Sequence, residues 1–151
     1  MSKKVKKVYI ETSVISGYGR IRFHDTLMEF FELIRKGLFI PIISAHTVGE
    51  VYDEKTPVEV IKNFESIEYS AYDTTIEMSR LLDKYMLQKI IDEKYVDDAL
   101  HIAIATVLNV DVLVSWNLTH IVNEMTIPLF NKVNNKNGYS SIVIQKPEEI
   151  M

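Results

Sequence analysis

Tyr95-Val96-Asp97-Asp98-Ala99-Leu100-His101-Ile102-Ala103-Ile104-Ala105 is the stretch that decides how this chain folds. It predicts a helix that opens on two carboxylates and is then apolar on nearly every side. Such a helix belongs in the middle of a domain, covered by other elements. A carboxylate carried there is costly unless a partner or a metal meets it. The same conflict recurs at two distant points. Glu11 ends the apolar strand Val8-Tyr9-Ile10, and Ser115-Trp116-Asn117 follows Val112-Leu113-Val114. Polar groups at the ends of three buried elements predict one acidic pocket.

Working outward, Val5 to Ile10 reads as a first strand. An amphipathic helix follows from about His24 to Lys36, with Leu27, Phe30, Phe31 and Ile34 at helical spacing and Gly37 as its stop. Phe39 to Ile43 is a second strand, in which Pro41 restricts the place it can take in a sheet. Ser44 is the expected N-cap of a helix carrying His46, Glu50 and Val51. Pro57 opens a short helix to Phe64, and Ile67 to Ala71 is an expected strand. Asp73 or Thr74 would cap a long helix through Leu81, Leu82 and Tyr85 towards Ile90. The Asp97-Asp98 helix runs to about Asn109, then come a strand over Val110 to Ser115, a helix over Glu124 to Val133 and a strand over Ile142 to Ile144. Asn134, Asn135, Asn137 and Gly138 read as the turn before that strand. Alternating helices and strands, the strands apolar on both faces, predict a three-layer α/β/α sandwich with a mainly parallel sheet. Ligands of such sheets sit beyond the carboxyl ends of the strands, where Glu11 and Asn117 fall.

A length of 151 residues predicts a single domain over 1–151, and 47% hydrophobic with 25% charged residues is ordinary for a globular protein. No apolar run approaches the ~20 residues that span a bilayer. The basic start, Met1-Ser2-Lys3-Lys4-Val5-Lys6-Lys7, lacks a signal peptide's apolar core and cleavage site. The expectation is a cytoplasmic protein with no membrane partner. With no cysteine, disulfides, thiolate metal sites and cysteine nucleophiles are excluded. A net charge of −4 argues against electrostatic coating of nucleic acid, though not against an enzyme that meets nucleic acid through bound cations.

The donors in the expected pocket, Glu11, Glu50, Asp98 and Asn117, are all oxygen, and hard oxygen ligands suit Mg²⁺ or Mn²⁺. Each also has a plainer reading. Glu11 could cap or pair with a lysine at its strand end, Asp97 and Asp98 could complement the positive end of their helix, Glu50 could be solvated, and Asn117 could be a turn residue. Asp98 differs, because Ile102 and Ala105 share its face.

Val8-Tyr9-Ile10-Glu11-Thr12-Ser13-Val14-Ile15, Glu50 on its helix, Asp97-Asp98-Ala99-Leu100-His101-Ile102-Ala103 and Leu113-Val114-Ser115-Trp116-Asn117 follow one another in an order and spacing that resemble PIN-domain nucleases, the fold of VapC-type toxins. The resemblance covers nearly the whole chain and implies a PIN-like domain. It also implies a metal pocket of Glu11, Glu50 and Asp98 with Asn117 as the fourth catalytic position. Thr12, Ser13, Asp97 and Ser115 would brace these groups; apart from the resemblance, His120, just after Asn117, could touch substrate phosphate. The implied activity is Mg²⁺- or Mn²⁺-dependent hydrolysis of phosphodiester bonds in single-stranded RNA. The implied partners are a small antitoxin protein and a second copy in a homodimer. Two positions depart from the family: Glu11 stands where Asp is usual, shifting the carboxylate by about a bond length, and Asn117 removes one negative charge. Both changes point to weaker metal binding.

His46 and Glu50 are i, i+4 neighbours; His101 is expected to bond Asp97. Trp116 either packs on the core or stacks on a base, and Arg20 and Arg22 either contact an RNA backbone or are solvated. The lysines at 3, 4, 6 and 7 read as a solvated tail. Two other functions compete with the nuclease: a PIN module that binds without cutting, and a phosphatase of another α/β family. The phosphatase would want an Asp nucleophile at Glu11 and a second Asp at Ser13.

Overall fold

The computed structural model describes residues 4–151; Lys3 of the expected lysine tail lies outside them. Five strands form an all-parallel sheet in the order β3-β2-β1-β4-β5, with β1 at Lys6–Ile10, β2 at Phe39–Ser44, β3 at Ser70–Tyr72, β4 at Val112–Val114 and β5 at Ile144–Gln145. The period-two alternation of strand side chains splits the core in two. Val8, Ile10, Ile43, Val112 and Val114 face one side, where they meet α1 (Thr12–Ser16), α2 (Ile21–Arg35), α3 (Ala45–Val51) and α4 (Val58–Glu65) through Val14, Phe30, Phe31, Val51 and Phe64. Tyr9, Ile42 and Leu113 face the other, against Leu81 and Tyr85 of α5 (Ile76–Leu87), Ile102 of α6 (Val96–Val107) and Phe130 of α7 (Ile127–Lys136). The expected three-layer α/β/α sandwich is the fold.

Helix α6 is the buried helix expected, with Ala99 and every residue from His101 to Thr106 buried. Each fully buried Ile contributes about 1.5–3 kcal/mol of transfer free energy, which holds the acidic first turn against the sheet. Ser44 is the N-cap of α3, its hydroxyl accepting the Thr47 N–H at 3.0 Å. Pro41 is accommodated because β3 pairs with β2 only from Ile42 onward, leaving that flank free of a neighbouring strand.

Several boundaries differ from the sequence reading. Helix α2 begins at Ile21, three residues before His24. Ile67 is buried but belongs to the turn after α4, and β3 starts only at Ser70. The cap of α5 is Thr75 rather than Asp73 or Thr74, its Oγ1 accepting the Met78 N–H at 3.2 Å, and α5 stops at Leu87, ahead of Lys89 at a φ of 51°. Helix α7 starts at Ile127, not Glu124. Pro128 lies in its first turn, where a missing N–H costs no helical bond. It runs through Asn134 and Asn135, which are therefore not turn residues; the turn is confined to Asn137 and Gly138, the latter at φ 86°. Asn134 is fully buried and bonds the Tyr85 hydroxyl and Thr106. The last strand begins at Ile144 rather than Ile142.

Candidate functional site

The chain runs from β1 outward to β2 and β3, then returns to place β4 on the opposite flank of β1. The order of strands therefore reverses between β1 and β4, and a crevice opens beyond their carboxyl ends. Glu11 and Ser115 are the first residues past those ends, tied by the Glu11 N–H donating to the Val114 carbonyl at 3.1 Å.

Glu11 is only 6% exposed. It is the N-cap of α1, where Oε2 accepts the Ser13 N–H at 2.9 Å. Oε1 accepts the Ser13 hydroxyl at 2.6 Å and the Ser115 hydroxyl at 2.5 Å. Both hydroxyls are themselves set by the β4 loop: Trp116 N–H donates to Ser13 Oγ and Asn117 N–H to Ser115 Oγ, each at 2.9 Å. The glutamate's extra methylene thus lets the carboxylate fold back over its own helix start.

The loop continues into the second carboxylate. Asn117 Oδ1 accepts the His120 N–H at 3.0 Å, and His120 Nδ1 lies 2.9 Å from Asp98 Oδ2. The His120 ring is backed by Tyr95, with centroids 3.9 Å apart. Asp98 is 22% exposed and Asp97 69%, so the two adjacent acids have different settings. The third carboxylate, Glu50, accepts the Thr12 hydroxyl at 2.9 Å, and Thr12 shares a 2.8 Å bond with Thr47. His46 Nε2 stands 3.3 Å from Glu50 and 3.9 Å from Asp97, bridging the two acidic elements.

Glu11, Ser13, Ser115, Asn117, His120 and Asp98 are therefore one hydrogen-bonded chain; beside it Thr12 bonds Glu50, and His46 stands between Glu50 and Asp97 as a charge contact. His101 departs from expectation. It bonds Tyr9 Oη at 2.7 Å rather than Asp97, because α6 turns its side chain down onto β1. Burial holds its pKa below the usual 6.5, outweighing the opposing pull of Glu11, Glu50 and Asp98. Burial likewise raises the Tyr9 phenol, with Glu11 and Glu50 adding to the rise against a lowering hydrogen bond to Ser44. Both groups are neutral props beneath the acidic edge. The sequence reading missed Tyr9, Thr47 and Tyr95. Thr47, three residues past the Ser44 cap, and Tyr95, three before Asp98, stand at spacings that could have found them.

Among the described residues no lysine or arginine forms an ion pair with Glu11, Glu50, Asp97 or Asp98. Oxygen donors left without fixed counter-charge suit a hard divalent cation in their chemistry. They are not gathered for one: among the described residues no three His, Asp or Glu side chains are arranged to hold a metal ion. No helix among those residues is long and apolar enough to cross a membrane. No family model, curated protein or solved structure matches the chain.

Proposed function

We propose that the chain is a metal-dependent endoribonuclease of the PIN-domain kind that hydrolyses phosphodiester bonds of single-stranded RNA. On this reading it is the toxin of a toxin–antitoxin pair, acting in the cytoplasm as a homodimer and neutralised by a small antitoxin protein. The supporting observation is that Glu11, Asp98 and Asn117 in one hydrogen-bonded group and Glu50 in a neighbouring one all lie towards the carboxyl ends of the strands flanking the switch between β1 and β4. A bound Mg²⁺ or Mn²⁺, held by Glu11, Glu50 and Asp98, would supply Lewis-acid stabilisation at the phosphate and a more acidic water. The chain's own groups restrict these ligands in advance. Ser13 and Ser115 fix Glu11, Thr12 fixes Glu50, and Asn117 fixes the His120 backbone whose ring orients Asp98. The uncompensated carboxylates repel phosphate, so RNA binding depends on the cation.

A second reading is a PIN-like module that binds without cutting, favoured by the three donors that already occupy the Glu11 carboxylate. Mn²⁺-dependent cleavage of a mixed-sequence single-stranded RNA, run beside Asp98→Asn, separates the two. The asparagine keeps an acceptor for His120 while removing the charge. Cleavage by the native chain alone supports the nuclease; equal background from both refutes it for this substrate. A ligand that binds only the folded state also raises the melting temperature. Mn²⁺ should stabilise the native chain and lose that effect in Glu50→Ala if the carboxylates hold it.

A further inference from the structure

A cavity of about 400 Å³ opens between α5 and α7, and none of its lining residues belongs to the acidic edge. Each helix gives it one stripe at helical spacing: Lys84 and Leu87 from α5, and Leu129, Lys132 and Lys136 from α7. Ile90 joins them from the turn after α5, where Lys89 takes a φ of 51°. A lysine in this left-handed region is strained, and glycine or asparagine more often ends a helix there. The apolar lining is open to solvent, with Leu87 77% and Leu129 48% exposed. Exposed leucines scattered singly are ordinary; two that line one concavity rimmed by charge have the composition of a docking groove.

The rim carries one sign of charge. Lys84, Lys132 and Lys136 are exposed, and among the described residues none of them forms an ion pair. Lys84 donates to the Asn137 side chain, a neutral partner that leaves its charge uncompensated. No Asp or Glu lines the cavity and α7 carries none, in a chain whose net charge is −4. Lys84 and Lys136 stand in the last turns of their helices, where a cation complements the negative helix end. That accounts neither for Lys132, which repels Lys136 one turn away, nor for the open leucines. An RNA backbone would use the lysines but not the apolar floor, and no aromatic ring lines the cavity to stack a base. We infer that the α5–α7 groove docks an acidic amphipathic peptide segment of a protein partner. Its apolar side chains fill the cavity over Leu87, Ile90 and Leu129, and its Asp and Glu residues meet the three lysines. This docking is independent of the ribonuclease reading, because the groove and the acidic edge share no residue.

The probe is a labelled synthetic peptide of glutamate and alanine with leucine at helical spacing along one face, titrated into the full chain by anisotropy. Beside it run a leucine-free peptide of equal charge, a version with lysine in place of glutamate, and a labelled single-stranded RNA. Saturable binding of the leucine–glutamate peptide and not of the other two peptides is expected. Leu87→Ala should weaken it about tenfold, for the loss of one apolar contact. Lys132→Glu combined with Lys136→Glu should weaken it about 10- to 100-fold, since like charges then face each other, and should turn the preference to the lysine peptide. The replaced side chains are exposed, so the melting temperature should stay native. Mn²⁺-dependent RNA cleavage, read on the same variants, should match the native chain, so that failure of the docking site and failure of the nuclease are separate results. Equal binding of the leucine-free peptide, no binding of the leucine–glutamate peptide, or affinity that the variants leave unchanged overturns the docking site. So does RNA that displaces the peptide and loses affinity in the same lysine variant. Self-association of the native chain that Leu87→Ala abolishes also overturns it, and makes a second copy the occupant.

Discussion

Replacing Glu11 by Gln is the sharpest perturbation of the site, because it keeps the size of the side chain and changes only its charge and one acceptor. The native carboxylate accepts three hydrogen bonds, one from a backbone N–H and two from hydroxyls. With the amide oxygen on Oε1, the new NH₂ faces the Ser13 N–H, and two donors oppose each other. With the amide reversed, the NH₂ faces two hydroxyls that already accept from Trp116 and Asn117 backbones and must turn their protons elsewhere. Either orientation loses at least one bond to a charged acceptor and weakens the others. Bonds to charged groups contribute about 1.5–3 kcal/mol each, so Glu11→Gln should cost about 2–4 kcal/mol. For a chain of this size that lowers the melting temperature by about 5–15 °C. Urea denaturation in metal-free buffer is the assay, with an unchanged m-value and a lower midpoint as the expected result. A variant as stable as the native chain, or more stable, refutes the reasoning. It would mean that repulsion among Glu11, Glu50 and Asp98 outweighs the cap, and that Glu11 is held in place at a net cost to the fold.

Tyr85→Phe removes the hydroxyl that bonds Asn134 and Thr106 in the core and orphans a buried acceptor; a loss of about 1–3 kcal/mol in urea denaturation is expected, and an unchanged midpoint would show the cluster to be incidental. His101 gives a pH dependence of definite sign. Its folded pKa lies below the usual 6.5, so between the two values the unfolded chain holds a proton that the native chain does not. Its contribution to stability is therefore complete above pH 6.5 and is lost as pH falls towards the folded value. His101→Gln, which can still bond Tyr9, should flatten this part of the profile in denaturation series on either side of that pH. An unaltered slope would assign the acid sensitivity to the carboxylates.

What the sequence determined by itself is whatever depends on near neighbours. Alternating side chains in Val8-Tyr9-Ile10 and Val112-Leu113-Val114 assign residues to two faces, which a parallel sheet then covers with helices. The Ser44 cap and the apolar run after Asp98 were likewise legible, since both follow from one turn of backbone. Boundaries were lost where tertiary burial replaced local pattern. Asn134 looks like a turn former, yet it sits in α7 because Tyr85 and Thr106 satisfy its amide inside the core. Within the site, the residue types were legible and their pairings were not. Ser115 meets Glu11 across 104 positions, and His101 meets Tyr9 across 92. Those contacts are set by the reversal of strand order between β1 and β4. That order depends on packing summed over the whole chain, which no local window contains.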